Sequence, residues 1–174
     1  MKYSVVDSAG RVLSLIEMTP EDALLNVPDG CDLVEGWANT FTDRLVNDEW
    51  VDGRTMEQVR LERRKSINEA RDRLEFSFFT WDGSVFDADE KSQARLQGAF
   101  QLANLSLFAL QPYSVDWTLA NNTVRTLSAN DMVAVGQALA AHVLAAHSTA
   151  RTLKTEIDAA TTLAEVDAVA WPET

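Results

Sequence analysis

His142 and His147 are the only histidines in this chain, and Cys31 is its only cysteine. These side chains most readily serve as bases, nucleophiles or metal ligands, so their spacing is the first test for chemistry. Two histidines on one helix chelate a metal when they stand four residues apart, on one face. Five residues turn His147 roughly 140° away from His142, so the pair splays around the helix. Each flanks an apolar stripe and reads as an edge or interface histidine. Cys31 has no neighbouring histidine or basic residue to stabilise a thiolate, so it reads as a buried or inert thiol. Asp82, Asp87 and Asp89 imitate a calcium loop, but the spacing and terminal Glu of an EF-hand are missing, and turn and cap roles account for them. No His-Glu-x-x-His, Gly-x-Ser-x-Gly or Gly-rich phosphate loop is present. A cell-wall hydrolase would need paired carboxylates in a cleft or a metal site, and no distinctive pair stands out. The expectation is a protein that is not an enzyme, with no catalytic, cofactor-binding or metal-binding residues.

Charge narrows the partners. The net charge is −12, which argues against nucleic acid, because phosphate contacts need clustered Lys and Arg. It also disfavours anionic membrane surfaces. The run Arg60, Glu62, Arg63, Arg64, Lys65 is basic, yet Glu62, Glu69, Asp72 and Glu75 accompany it, as on a solvated helix face. Five tryptophans, Trp37, Trp50, Trp81, Trp117 and Trp171, are many for 174 residues. Sugar stacking is one use for them; core and interface packing is the reading favoured here, since Trp81 and Trp117 sit among other apolar residues.

The elements that would position these residues follow from period and punctuation. With 46% hydrophobic and 24% charged residues, the chain has an ordinary globular mix, enough for one domain or two small ones. One cysteine allows no internal disulfide and fits a reducing cytosol. There is no secretion-signal pattern at the start and no stretch of ~18 apolar residues.

The sequence divides near Thr55. Residues 1–54 are β-rich: a strand at Tyr3 to Val6, a turn at Ser8-Ala9-Gly10, a return at Val12 to Ile16, a short helix opened by Thr19-Pro20, and strands at Leu33-Val34 and Leu45-Val46. Trp50-Val51-Asp52-Gly53 closes this module, which is small for an independent core. Residues 55–174 are mainly helical. Thr55 and Gln58 have capping-box spacing. Asp82-Gly83 predicts a hairpin at about 77–87, with positive φ at Gly83. Asp87 or Asp89 caps the next helix, whose stripe is Ala94, Leu96, Ala99, Phe100 and Ala103. A second hairpin at about 115–127 turns on Asn121-Asn122. Ser128 to Asp131 caps a long helix at about 130–159, striped by Met132, Val135, Leu139, Val143, Ala146, Ala150, Leu153 and Ile157. Thr162 and Glu165 cap a last short helix. The fold class is therefore α+β: a small β-rich N-terminal module, then a helical domain with two hairpins inserted between helices.

The pattern Phe79-x-Trp81-Asp82-Gly83-x-x-Phe86-Asp87-x-Asp89-x-x-Ser92-Gln93-x-x-Leu96-Gln97-Gly98-Ala99 resembles a domain of uncharacterised function common in proteins from tail-fibre regions of tailed bacteriophages. The resemblance continues through Val115-Asp116-Trp117-Thr118, the Asn-containing turn and the helix from Met132 to Ile157, covering roughly residues 60–171. More loosely, the first 54 residues are similar to short β modules that precede this domain in phage proteins. The resemblance implies a virion tail component, or a tail-fibre assembly factor, with no catalytic residues to carry over.

Three functions remain at this stage. The first is a structural protein attached to a tail fibre, spike or baseplate, made in the host cytoplasm and located in the virion tail. The second is a fibre-assembly chaperone absent from the mature virion. The third is the hydrolase, for which the residues are lacking. On the first reading the partners are other phage tail proteins and further copies of the same chain. The residues expected to carry those contacts are Trp37 and Trp50 in the β module, and Met132, Leu139, Val143, Leu153 and Ile157 on the long helix.

Overall fold

The strand predicted at Tyr3 to Val6 has no charged residue on either face, and the fold shows why. The structure is a computed structural model describing residues 1–40 and 42–172. Strand β1 (Lys2–Asp7) is the middle of a three-stranded antiparallel sheet, flanked by β2 (Val12–Glu17) and β3 (Cys31–Glu35). Successive side chains of a strand point to opposite faces. Tyr3 and Val5 are buried on one face, Ser4 and Val6 on the other, so β1 is covered on both sides. The buried Ser4 hydroxyl is satisfied twice, donating to the Gly36 carbonyl at 2.9 Å and accepting from the Ala38 N–H at 3.1 Å. Between β2 and β3 lies α1 (Pro20–Leu24), capped by Thr19 with Pro20 in its first turn.

The sequence closes this region on Trp50 to Gly53, whereas the structure makes Glu49–Asp52 a strand, β5, paired with β4 (Asp43–Val46). Asn47 and Asp48 turn the hairpin with φ of 52° and 63°. Those are type I′ values, which Asn and Asp tolerate without glycine. Trp50 faces Leu45 across the pair and packs on a cluster of Val6, Val12 and Ala38.

Two compact units result, Met1–Val59 and Arg60–Thr174. The boundary falls a few residues beyond Thr55, because the first turn of α2 (Met56–Glu75) clusters with the β-rich unit and Val59 is fully buried. The capping box forms as its spacing predicts: the Thr55 N–H donates to Gln58 Oε1 at 2.7 Å, and the Gln58 N–H to Thr55 Oγ1 at 3.2 Å.

The second unit follows the predicted order. After α2 come hairpin β6 (Phe78–Trp81) and β7 (Ser84–Asp87), helix α3 (Glu90–Phe108), hairpin β8 (Ser114–Thr118) and β9 (Val124–Ser128), helix α4 (Ala129–Ala159) and helix α5 (Leu163–Ala168). The chain is an α+β protein with a mainly helical second part. Asp82 and Gly83 both have positive φ, 46° and 70°. Arg125 locks the hairpins together: it donates to the Asp82 carbonyl and Ser84 Oγ, pairs with the Asp82 carboxylate, and stacks over the Trp81 ring. Beneath them Phe79 and Phe86 stack 5.3 Å apart, in a core with Leu96, Ala103, Leu127, Met132 and Val135.

With 31 residues, α4 spans about 46 Å at 1.5 Å per residue. Its first half packs on α3, where Gly136 lets the helices approach: a Cβ there would stand 2.5 Å from Phe100 Cδ2. Its second half runs antiparallel to α2, with Arg60 at the α4 end and Leu74 beside His142.

Three cap carboxylates give the fold an acid limit. The Ser92 hydroxyl holds Asp89, and the Ser128 hydroxyl holds Asp131, below the usual aspartate value of 3.8. The Thr161 N–H holds Glu165 below the usual 4.5. A folded pKa that is depressed adds stability above the unfolded pKa and loses it as pH falls through the folded value. The melting temperature should therefore be flat from neutrality to about pH 5 and drop below about pH 4. Asp131→Asn should make that drop shallower, measured by thermal melts across pH. A melting temperature that climbs on acidification would contradict the cap assignment.

Candidate functional site

The two histidines are hydrogen-bonded within the helical unit. His142 and His147 meet consecutive residues at the end of α2. His142 Nε2 lies 2.8 Å from the Leu74 carbonyl, and His147 Nε2 lies 3.0 Å from Glu75 Oε2. A carbonyl or an ionised carboxylate only accepts, so Nε2 donates in both cases. Ser77 Oγ also donates to the Leu74 carbonyl, and Gln93 Nε2 to the Glu75 and Ala88 carbonyls. His142, Ser77 and Gln93 thus satisfy the Leu74 and Glu75 carbonyls, which the end of a helix leaves unpaired. Among the described residues, no group of three or more His, Cys, Asp or Glu gathers in a way that could hold a metal.

The basic run departs from the solvated face expected of it. Arg60 donates to the carbonyls of Asp158 and Ala160, Arg64 pairs with the Asp158 carboxylate, and Arg63 reaches the Asp167 carbonyl at 2.6 Å. Arg60 and Arg64 thus sit at the negative end of the α4 dipole, and Arg63 sits at the end of α5. Lys65 follows the solvated reading, with a 4.0 Å pair to Glu69.

The partner-contact residues divide. Met132, Leu153 and Ile157 are buried within the chain, so they are core and cannot meet a partner without unfolding. An unbroken stripe does not say which of its residues the chain itself covers; Met132 is covered by Phe79, Phe86, Leu96 and Leu127 from the hairpins and α3. Trp50 is half-buried in the first unit's core, whereas Trp37 is 53% exposed with Lys2 Nζ 4.0 Å from its ring centre.

Leu139 and Val143 are different. They line a groove of about 510 Å³ between α3 and α4, with Leu96, Phe100, Ala140 and Leu144. The surrounding surface is apolar well beyond the groove. Leu144 is 63% exposed, Phe108 91% and Leu110 90%. Phe108 stands eleven residues after Gln97, which is three turns onward and only about 20° round the helix, so it continues the groove's line. The sequence carried a signal for this face that helical period does not show: no Asp, Glu, Lys or Arg occurs from Leu96 to Val115 or from Met132 to Ala150.

Leu110 is also strained. The Gln111 N–H donates to the Ser106 carbonyl at 2.9 Å and the Leu110 N–H to the Leu107 carbonyl at 3.2 Å. This is a Schellman ending with Leu110 at the left-handed position, φ 54°, where glycine is usual. An exposed leucine there costs about 1 kcal/mol or more against glycine. Leu110→Gly should accordingly raise the unfolding free energy of the isolated chain by about 1 kcal/mol, measured by denaturant titration. A loss of stability would mean that the Leu110 side chain makes a contact the fold needs.

These features define a class: an α+β protein whose helical unit carries an uncharged, apolar face. Residues 58–170 of the 174 match the family described as Domain of unknown function (DUF4376), and the chain belongs to that family. No curated protein and no solved structure matches it.

Proposed function

We propose that this chain is a non-enzymatic structural component of a bacteriophage tail, associated with a fibre, spike or baseplate, and that it acts by protein–protein contact. The observation that carries the contact reading is the α3–α4 face. A groove lined by Leu139, Val143 and Phe100 continues onto protruding Leu144 and Phe108. Exposed apolar surface of this kind, without charge, marks an interaction site on a folded protein. The tail assignment rests on the resemblance of the hairpin-to-helix pattern at 79–99 to domains of tail-fibre-region proteins. Its partners are other tail proteins and copies of itself, and it travels from the host cytoplasm into the virion tail. Trp37 offers the β-rich unit an exposed aromatic anchor of the kind that dominates binding energy. No helix among the described residues is long and apolar enough to cross a membrane.

Mass spectrometry of purified virions tests the proposal. The chain should be present in a fixed ratio to a tail protein, and antibody labelling should fall on the tail. Virions that lack the chain, from a phage that still needs its gene for working fibres, would replace this reading with the assembly chaperone. Clearing of a cell-wall substrate by the purified protein would replace it with a hydrolase.

A further inference from the structure

We propose that a small polar pocket of the helical unit binds a neutral saccharide through its hydroxyl groups. The pocket, of about 250 Å³, lies where the end of β7, the first turns of α3 and the end of β8 meet. Asp87, Arg95, Asp116, Trp117, Leu119 and Asn122 line it, and it shares no lining residue with the α3–α4 groove. Its polar groups are unengaged. Among the described residues, no hydrogen bond or ion pair occupies the Arg95 guanidinium, the Asp87 carboxylate or the Asn122 side-chain amide. Asp116 accepts from the Thr126 hydroxyl at Oδ1, 2.6 Å away, and keeps Oδ2 for another donor. Opposite charges thus line one small pocket without pairing across it. The frame around them is fixed: the Ala120 N–H donates to the Val85 carbonyl at 3.1 Å, and the Leu119 N–H closes the turn on the Thr123 carbonyl at 2.8 Å.

The mix of groups selects the ligand. A guanidinium only donates and an ionised carboxylate only accepts, whereas a hydroxyl does both. Neighbouring hydroxyls on one sugar ring therefore serve Arg95 and the two aspartates at once, and the Asn122 amide can meet either need. An anion would face two carboxylates against one guanidinium, and a cation would face Arg95. A zwitterion matches both signs, but Arg95 and Asp116 are exposed, and ion pairs in water-washed positions gain little. Trp117 and Leu119 add the apolar surface that the C–H groups of a sugar ring can cover. Drug-sized ligands occupy about 300–1,000 Å³, so this smaller pocket suits a single ring. Few hydrogen bonds and an open site set the dissociation constant on the order of 1 mM.

The test is an NMR titration of the full-length, isotope-labelled chain with the methyl α-glycosides of glucose, galactose and mannose and with N-acetylglucosamine, each to ~50 mM. At least one sugar should shift the Asn122 side-chain amide and the Trp117 indole N–H along a saturating curve, while the Trp37 indole stays in place. Raising salt from ~50 mM to ~500 mM should leave the affinity unchanged, because the ligand is neutral. Arg95→Ala and Asp87→Asn should each weaken binding about tenfold by removing a hydrogen bond to a charged group. Neither side chain bonds within the chain, so both variants should keep the circular dichroism of the wild type. Four sugars that leave these signals unmoved at ~50 mM overturn the proposal. So does a saturable shift that neither variant weakens, or an affinity that salt reduces. Glycine shifting the same signals where no sugar does would make this a zwitterion site and also overturn it. Because the groove and the pocket are separate, none of these outcomes bears on the reading of the α3–α4 face as a contact surface.

Discussion

Gly10→Ala should destabilise the β-rich unit by about 3 kcal/mol or more, the sum of a left-handed backbone penalty of about 1–2 kcal/mol and a clash that cannot relax. Gly10 has φ +75°, and a Cβ on it would stand 1.9 Å from the Leu45 carbonyl oxygen and 3.0 Å from its carbonyl carbon. The obstacle is backbone, so no side chain can rotate away. Relief requires the turn between β1 and β2 to lift off β4. That breaks the Leu45 N–H to Gly10 carbonyl bond of 2.8 Å and the bridge between Arg11 and Arg44. Hydrogen exchange should show the Leu45 amide losing protection while amides of α4 keep theirs. Gly30 supplies the control: its φ is +79°, but no atom lies within 4 Å of a Cβ built there. Gly30→Ala should show only the backbone penalty of about 1–2 kcal/mol. Equal losses at the two positions would mean that the approach of the turn to β4 is not as described.

Phe86→Ala should cost about 3–5 kcal/mol in the helical unit. Phe86 has no exposed surface, stacks on Phe79 at 5.3 Å and meets the edge of Trp81 at 6.3 Å. Its removal leaves a cavity under both hairpins, which Arg125 holds in place, so the site has little freedom to collapse. The paired control is Phe78, on the opposite face of the same hairpin and 59% exposed. Phe78→Ala should stay within about 0.5 kcal/mol. Because strand side chains alternate, a one-residue slip of β6 would turn Phe78 inward and make its removal costly too. Guanidinium denaturation with an unchanged slope measures both, and comparable losses would reject the pairing of Phe79 with Phe86.

The sequence by itself determined the elements of this protein, because their ends are set by local chemistry. Thr55, Ser128 and Thr162 cap helices through their own neighbours at fixed spacing. Asp89, rather than Asp87, caps α3, a choice between two residues that spacing left open. Asp82-Gly83 and Asn122 turn because they tolerate positive φ. The strand at Glu49–Asp52 escaped, since an Asn-Asp turn without glycine signals a hairpin weakly. Only the tertiary structure decided which side of each element is covered. Met132 and Leu139 belong to one stripe on α4, yet one is core and the other lines an open groove, because the neighbours that cover them come from elsewhere in the chain. The fate of the arginines is likewise non-local. Arg60 and Arg64 read as a solvated face until the end of α4, some hundred residues away in sequence, brings its unpaired carbonyls and Asp158 to them. A side chain's period fixes its direction; what lies in that direction is fixed by packing.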